Sequence, residues 1–118
     1  MYGLPEHESL AFLIGRELIQ LLVGQFQLIL RFDGDTEISI EGPFQHQPKG
    51  TPLEGTVELP YSAATLLTLL GQRIVGSRNL GGGEIQLTFS NGDILRLQNG
   101  TDDSESYEIR APNVQIIV

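Results

Sequence analysis

Glu84–Gln98 reads EIQLTFSNGDILRLQ, and the reading of this stretch decides the fold. Ile85, Leu87 and Phe89 alternate with Gln86, Thr88 and Ser90, the two-residue period of a strand with one buried face. Asn91-Gly92-Asp93 interrupts it with residues that tolerate positive φ. Leu95 and Leu97 then resume the alternation, so the stretch predicts a β-hairpin. Working outward, Leu28–Ile40 (LILRFDGDTEISI) repeats the design. Phe26, Leu28, Leu30 and Phe32 alternate, Asp33-Gly34-Asp35 turns the chain, and Ile38 and Ile40 return to the same face.

The two hairpins belong to a longer correspondence. Leu28, Leu30, Phe32, Ile38 and Ile40 recur as Ile85, Leu87, Phe89, Leu95 and Leu97 at one offset (89 − 32 = 57), and Gly24 finds Gly81 there too. Leu13, Gly15, Leu18 and Ile19 find Leu69, Gly71, Ile74 and Val75 at an offset one shorter (71 − 15 = 56). Residues 9–42 and 65–99 therefore read as two related units, each a short helix, a glycine, a strand, a glycine and a hairpin. Any two alternating hairpins align, but the shared glycines and the upstream helix favour duplication. Register follows from the buried face, because a one-residue slip turns every side chain over. Pairing Phe89 with Leu95, and Phe32 with Ile38, keeps the apolar set together and requires loops of odd length, three or five residues.

The remaining segments are read by the same rules. His7-Glu8-Ser9 precede Leu10–Ile14 and Gly15 closes the run, which suggests one or two turns of helix. Ser62 caps a second helix over Ala63–Leu70, with Gly71 as its stop. Glu17–Val23 is apolar, and Gly24 after it favours a buried strand over a helix. Glu41–Leu53, with three prolines and two glycines, reads as an exposed loop. Val57 and Leu59 offer a short edge strand before Pro60. Arg73–Leu80 is strand-like, Gly81-Gly82-Gly83 is a turn, and Tyr107–Val118 supplies strand material broken at Ala111-Pro112-Asn113. The expected fold is one α+β domain over residues 1–118, mostly antiparallel strands with two short helices.

A chain of 118 residues with 40% hydrophobic and 19% charged residues can bury one core without staples. It contains no cysteine, which removes disulfides, a thiolate nucleophile and cysteine metal sites. The net charge of −8, with seven scattered Lys and Arg, argues against nucleic acid and is compatible with a basic protein partner. Neither a basic, apolar leader nor a membrane-length apolar run is present in the sequence, so the expected location is the cytoplasm.

Catalytic spacing is missing. The two histidines, His7 and His46, form no zinc pair, and His46, flanked by Gln45 and Gln47, reads as a solvated loop residue. Gly81-Gly82-Gly83 leads into a strand rather than a helix, so it is a turn and not a phosphate cradle. Asp33-Gly34-Asp35 lacks the downstream ligands of a calcium loop, and Thr101–Glu105 reads as a solvated acidic run. No cofactor and no metal are expected. A carboxylate or His46 site assembled by the fold is invisible to spacing arguments.

Ile40-Glu41-Gly42-Pro43-Phe44, Phe89-Ser90-Asn91-Gly92-Asp93, Glu105-Ser106-Tyr107-Glu108-Ile109 and the apolar end Val114–Val118 together resemble a family of small bacterial proteins of unknown function. That resemblance implies a bacterial cytoplasmic protein and transfers no active site. The functional expectation is a non-enzymatic interaction module, regulatory or immunity-type, whose partner surface comprises Glu41, Phe44, His46 and the acidic residues Asp102, Asp103 and Glu105. Phe44 also reads as a core plug. Alternatives are a small-ligand pocket between the two halves and a hydrolase with a fold-assembled site. Unpaired strand edges add an expectation of homo-oligomers, most simply a dimer.

Overall fold

Period-two alternation sorts the chain into strands with one apolar face, and the structure, a computed structural model, pairs these strands into two antiparallel sheets. Described are residues 4–5, 8–50, 61–100 and 106–118, with the side chains of 61–63 excepted. The first sheet holds β1 (Leu18–Val23), β2 (Leu28–Phe32), β3 (Thr36–Ile40), β8 (Tyr107–Ala111) and β9 (Val114–Ile117), in the order β1-β2-β3-β8-β9. The second holds β4 (Phe44–Gln47), β5 (Ile74–Gly81), β6 (Glu84–Phe89) and β7 (Ile94–Leu97), in the order β4-β7-β6-β5. Their apolar faces, with Leu28, Leu30 and Ile38 from one and Ile85, Leu87 and Leu95 from the other, close on a single core.

Helix is scarce. Both helical segments among the described residues are 3-10 turns, Ala11–Leu13 and Tyr61–Leu69, so the molecule is mostly antiparallel sheet. Leu13, Leu66 and Leu69 are buried while Leu67, Thr68 and Leu70 stay outside, and each segment seals the core rather than forming a layer of it. The expected edge strand at Val57 and Leu59 and the acidic run 101–105 lie outside the described residues, as does His7.

Both hairpins have odd loops, of three residues. Asp33-Gly34-Asp35 joins Phe32 to Thr36, with Gly34 and Asp35 at positive φ, and Ser90-Asn91-Gly92 joins Phe89 to Asp93. The pairs are thus Leu30–Ile38 and Leu87–Leu95, two residues from the expected Phe32–Ile38 and Phe89–Leu95. A two-residue slip keeps every side chain on its face, so the apolar pattern cannot distinguish the two registers. The tighter loop wins two further paired positions and draws Thr36 and Asp93 under cover. Phe26, expected on the core face, sits instead in the β1–β2 turn and is 76% exposed.

Two sequence-distant contacts join the sheets. Gly15 N–H donates to Ile74 O (2.7 Å) and Gly71 N–H to Leu18 O (2.8 Å), with Leu18 N–H to Gln72 O and Ile74 N–H to Arg16 O completing the set around Glu17 and Arg73. At the other side, β3 runs into β4 and crosses between sheets at Gly42. The amides of Glu41 and Gly42 both donate to Ser106 O there (2.9 and 2.8 Å). A Cβ on Gly42 would lie 2.9 Å from Ser106 Cα, a backbone atom that cannot rotate away. Gly42→Ala is therefore expected to cost about 1–2 kcal/mol through local displacement of this corner. An unchanged midpoint in urea denaturation would contradict that close fit.

Candidate functional site

The described part of the expected loop, residues 41–50, is not all exposed loop. Phe44–Gln47 forms β4, which pairs with β7 so that Phe44 opposes Leu97 and His46 opposes Leu95. Opposed residues share a face, and Leu95 and Leu97 face the core. Phe44 consequently is the core plug, 1% exposed, and His46 occupies the next inward position at the rim. Its side chain is 3% exposed, which corrects the reading of a solvated ring.

The imidazole is held at both nitrogens. Nε2 lies 2.9 Å from Asp93 Oδ2, and Nδ1 lies 2.8 Å from Thr65 Oγ1 on the second 3-10 segment. A carboxylate only accepts, so in the neutral ring the proton sits on Nε2, and Nδ1 then accepts from the Thr65 hydroxyl. The second oxygen of Asp93 accepts the Lys49 amide (2.9 Å), and the Asp93 amide donates to Asn91 Oδ1 (3.0 Å). Burial pushes the Asp93 carboxyl up. The hydrogen bonds from His46 and Lys49, the charge of His46 and the contact with Asn91 outweigh it and hold the group below its ordinary value. A shallow groove of about 450 Å³ lies over the cluster, lined by His46, Pro48, Lys49, Thr65, Thr68, Asn91 and Asp93.

The other expected residues are dispersed. Glu41 is exposed at the sheet corner, where its carboxylate accepts from Gln27 Nε2 at 3.5 Å. Asp102, Asp103 and Glu105 lie outside the described residues. A second groove, of about 460 Å³, runs along β1, the β2–β3 turn and Arg110. Neither groove is lined by Glu17 or Arg73, the bridge between residues 9–42 and 65–99. Among the described residues no three His, Cys, Asp or Glu side chains gather as a metal site, and no helix is long and apolar enough to cross a membrane.

Asp93 and Thr65 escaped sequence reasoning because they stand 47 and 19 residues from His46. One signal was present: Phe44-Gln45-His46-Gln47 alternates, and it places His46 in an apolar slot.

The surface offers a different feature. Ile19, Leu22 and Val23 of β1 are 56%, 38% and 51% exposed, and Phe26 follows in the turn. Gly24 N–H donates to Gln27 O, so by strand alternation the amides of Leu22 and Gln20 face β2 and those of Leu21 and Val23 face the open side. The same open side is used by Leu18, through Gly71 and Gln72, and among the described residues it is unpaired from Gln20 onward. Other edges are better protected. Ser77 and Asn79 of β5 bond to the carbonyls of Leu10, Pro5 and Glu8, β4 abuts the second 3-10 segment, and β9 has only four residues.

Residues 11–118 match the model of a family of unknown function (DUF6188), and the chain belongs to that family. No curated protein and no solved structure matches it.

Proposed function

We propose that the chain is a protein-interaction module that takes up an extended segment of its partner on the open edge of β1. The observation that carries this reading is that edge from Gln20 onward: Leu22 and Val23 are exposed on it, and the main-chain groups of Leu21 and Val23 are unpaired among the described residues. Main-chain hydrogen bonds supply affinity in strand addition, and flanking side chains supply selection. The expected acidic surface enters differently, since Phe44 and the His46 ring are buried and present no face to a partner. Capture from host lysate with wild type and Leu22→Lys tests the reading. Edge-bound proteins, regulatory or immunity-type, should be lost with Leu22→Lys and resist salt, because no charged residue lies between Leu18 and Leu30. Salt-sensitive capture that survives Leu22→Lys would return the weight to a basic partner on the acidic face.

A second reading, a hydrolase, has its own observation: Thr65 Oγ1, His46 and Asp93 stand in line at 2.8 and 2.9 Å, the order of a base-activated hydroxyl. It requires ester hydrolysis that Thr65→Ala abolishes without loss of fold. The closed, fully bonded state of the ring favours a structural latch instead.

We also read residues 9–42 and 65–99 as copies of one ancestral unit. The paired hydrogen bonds at the junction support this, since Gly15–Ile74 and Gly71–Leu18 exchange places at one offset (71 − 15 = 74 − 18 = 56). So do the β-bulges at Ile19 and Val75, at the same offset.

A further inference from the structure

We infer that the segment β1 receives is β1 of a second copy, paired antiparallel about a two-fold axis at Leu22; this rests on the edge reading above. Alternation restricts the register. Leu21 and Val23 carry the outward-facing main-chain groups, and they share the inward side-chain face, because they oppose Leu30 and Leu28 of β2. An antiparallel partner must set hydrogen-bonding residues opposite each other, with inward side chains facing inward ones.

Two registers satisfy both conditions while keeping the residues on either side of the axis within residues 20–23, the regular stretch of β1. Placing the axis at Leu21 sets the Gln20 amide against Leu22. Placing it at Leu22 sets Leu21 against Val23 of the second copy and Leu22 against itself, apolar to apolar at each position. Only the second leaves no polar side chain facing an apolar one across the central residues. In that register the N–H and C=O groups of Leu21 and Val23 bond reciprocally with those of Val23 and Leu21 in the other copy, and the first sheets of the two molecules join edge to edge.

Charge points to the same occupant. The net charge of −8 opposes self-association in general, yet residues 18–30 contain no Asp, Glu, Lys or Arg. The charged residues flanking the strip are engaged within the molecule, Glu17 with Arg73 (3.0 Å) and Arg31 with Glu37 (3.7 Å). A basic partner would find no carboxylate on this edge, whereas an identical strand finds its own apolar pattern. Such a contact is isologous and closes at two copies.

The absence of cysteine gives a direct test. Leu22 would face its own copy in a non-hydrogen-bonded pair, where Cα atoms approach to about 4.5 Å, within disulfide range. Leu22→Cys under mild oxidation should form a covalent dimer at least about tenfold faster than Ile29→Cys, its outward neighbour on β2, because pre-association raises the local thiol concentration. Wild type should sediment as a dimer, and Leu22→Lys, which sets two ammonium groups against each other, as a folded monomer by circular dichroism. Equal cross-linking of Leu22→Cys and Ile29→Cys, or a monomeric wild type, would overturn the self-pairing. A monomeric wild type whose captured proteins are still lost with Leu22→Lys would leave the interaction edge standing with a different occupant. If neither sedimentation nor capture responds to Leu22→Lys, both readings fall.

Discussion

Tyr107→Ala is expected to lower stability by about 3–5 kcal/mol, the range for emptying a buried aromatic site. A domain of this size holds only about 5–15 kcal/mol in all, so the variant should be partly unfolded well below the wild-type midpoint. Tyr107 is 1% exposed and among the largest fully buried side chains. It stands on β8 of the first sheet, and its hydroxyl donates to Gly83 O in the turn between β5 and β6 of the second. One residue therefore both fills the core and ties one sheet to the other. Tyr107→Phe separates the two contributions. It keeps the ring, leaves the Gly83 carbonyl without this donor, and should cost about 1–2 kcal/mol.

The same pair of variants predicts a pH effect. Burial, reinforced by the charge of Glu84, raises the Tyr107 hydroxyl pKa well above its ordinary value of 10.0. The folded state thus favours the protonated phenol. Its contribution is complete below about pH 10 and is lost as rising pH ionises the unfolded chain first. Urea denaturation from neutral to alkaline pH should show a falling limb in wild type that is shallower in Tyr107→Phe. Coincident limbs, or a Tyr107→Ala loss under about 1.5 kcal/mol, would contradict the assigned burial.

His46→Ala is the second large effect, expected at roughly 2–4 kcal/mol. The substitution leaves the buried Asp93 carboxylate without its main side-chain donor and frees Thr65 from β4. The lower part of the range for a stranded buried charge applies because the cluster lies at the rim, under an open groove. Asp93 supplies the pH signature. Its pKa is depressed in the folded state, so its contribution is present above the ordinary value of 3.8 and disappears as pH falls through the lower folded value. Asp93→Asn should therefore be less stable than wild type at neutral pH and converge with it in strong acid. Stability curves that run parallel below pH 4 would remove Asp93 from the latch. Thr65→Ala is a useful companion, because a latch loses about 1 kcal/mol there and keeps its fold.

These predictions concern contacts that were unequally visible in the chain. The hairpins were legible because their information is local. Ile85, Leu87 and Phe89, or Leu28 and Leu30, fix a face by period alone, and the glycine at each turn marks where the face must reverse. Odd loop length followed from the same rule. The choice of three residues over five did not, since both registers bury the same apolar side chains, and the difference lies in the covering of Thr36 and Asp93. Phe26 departs from its pattern for a related reason: it extends the alternation by one step, but the chain is already turning there. Capping and stop residues mark the ends of the two helical segments, while their 3-10 geometry depends on what each segment seals.

What the sequence by itself determined is the two hairpins, the face their strands bury, and the net negative, cysteine-free composition. Those properties arise between neighbours a few residues apart, where steric and hydrophobic preferences act without reference to the rest of the chain. Only the tertiary structure decided that β3 and β4 part company at Gly42 into different sheets, and that His46 meets Asp93 and Thr65. It also decided that, among the described residues, β1 is the edge left open while the N-terminal segment bonds to β5. Each of these depends on contacts between segments tens of residues apart, whose partners are chosen by the closure of the whole core.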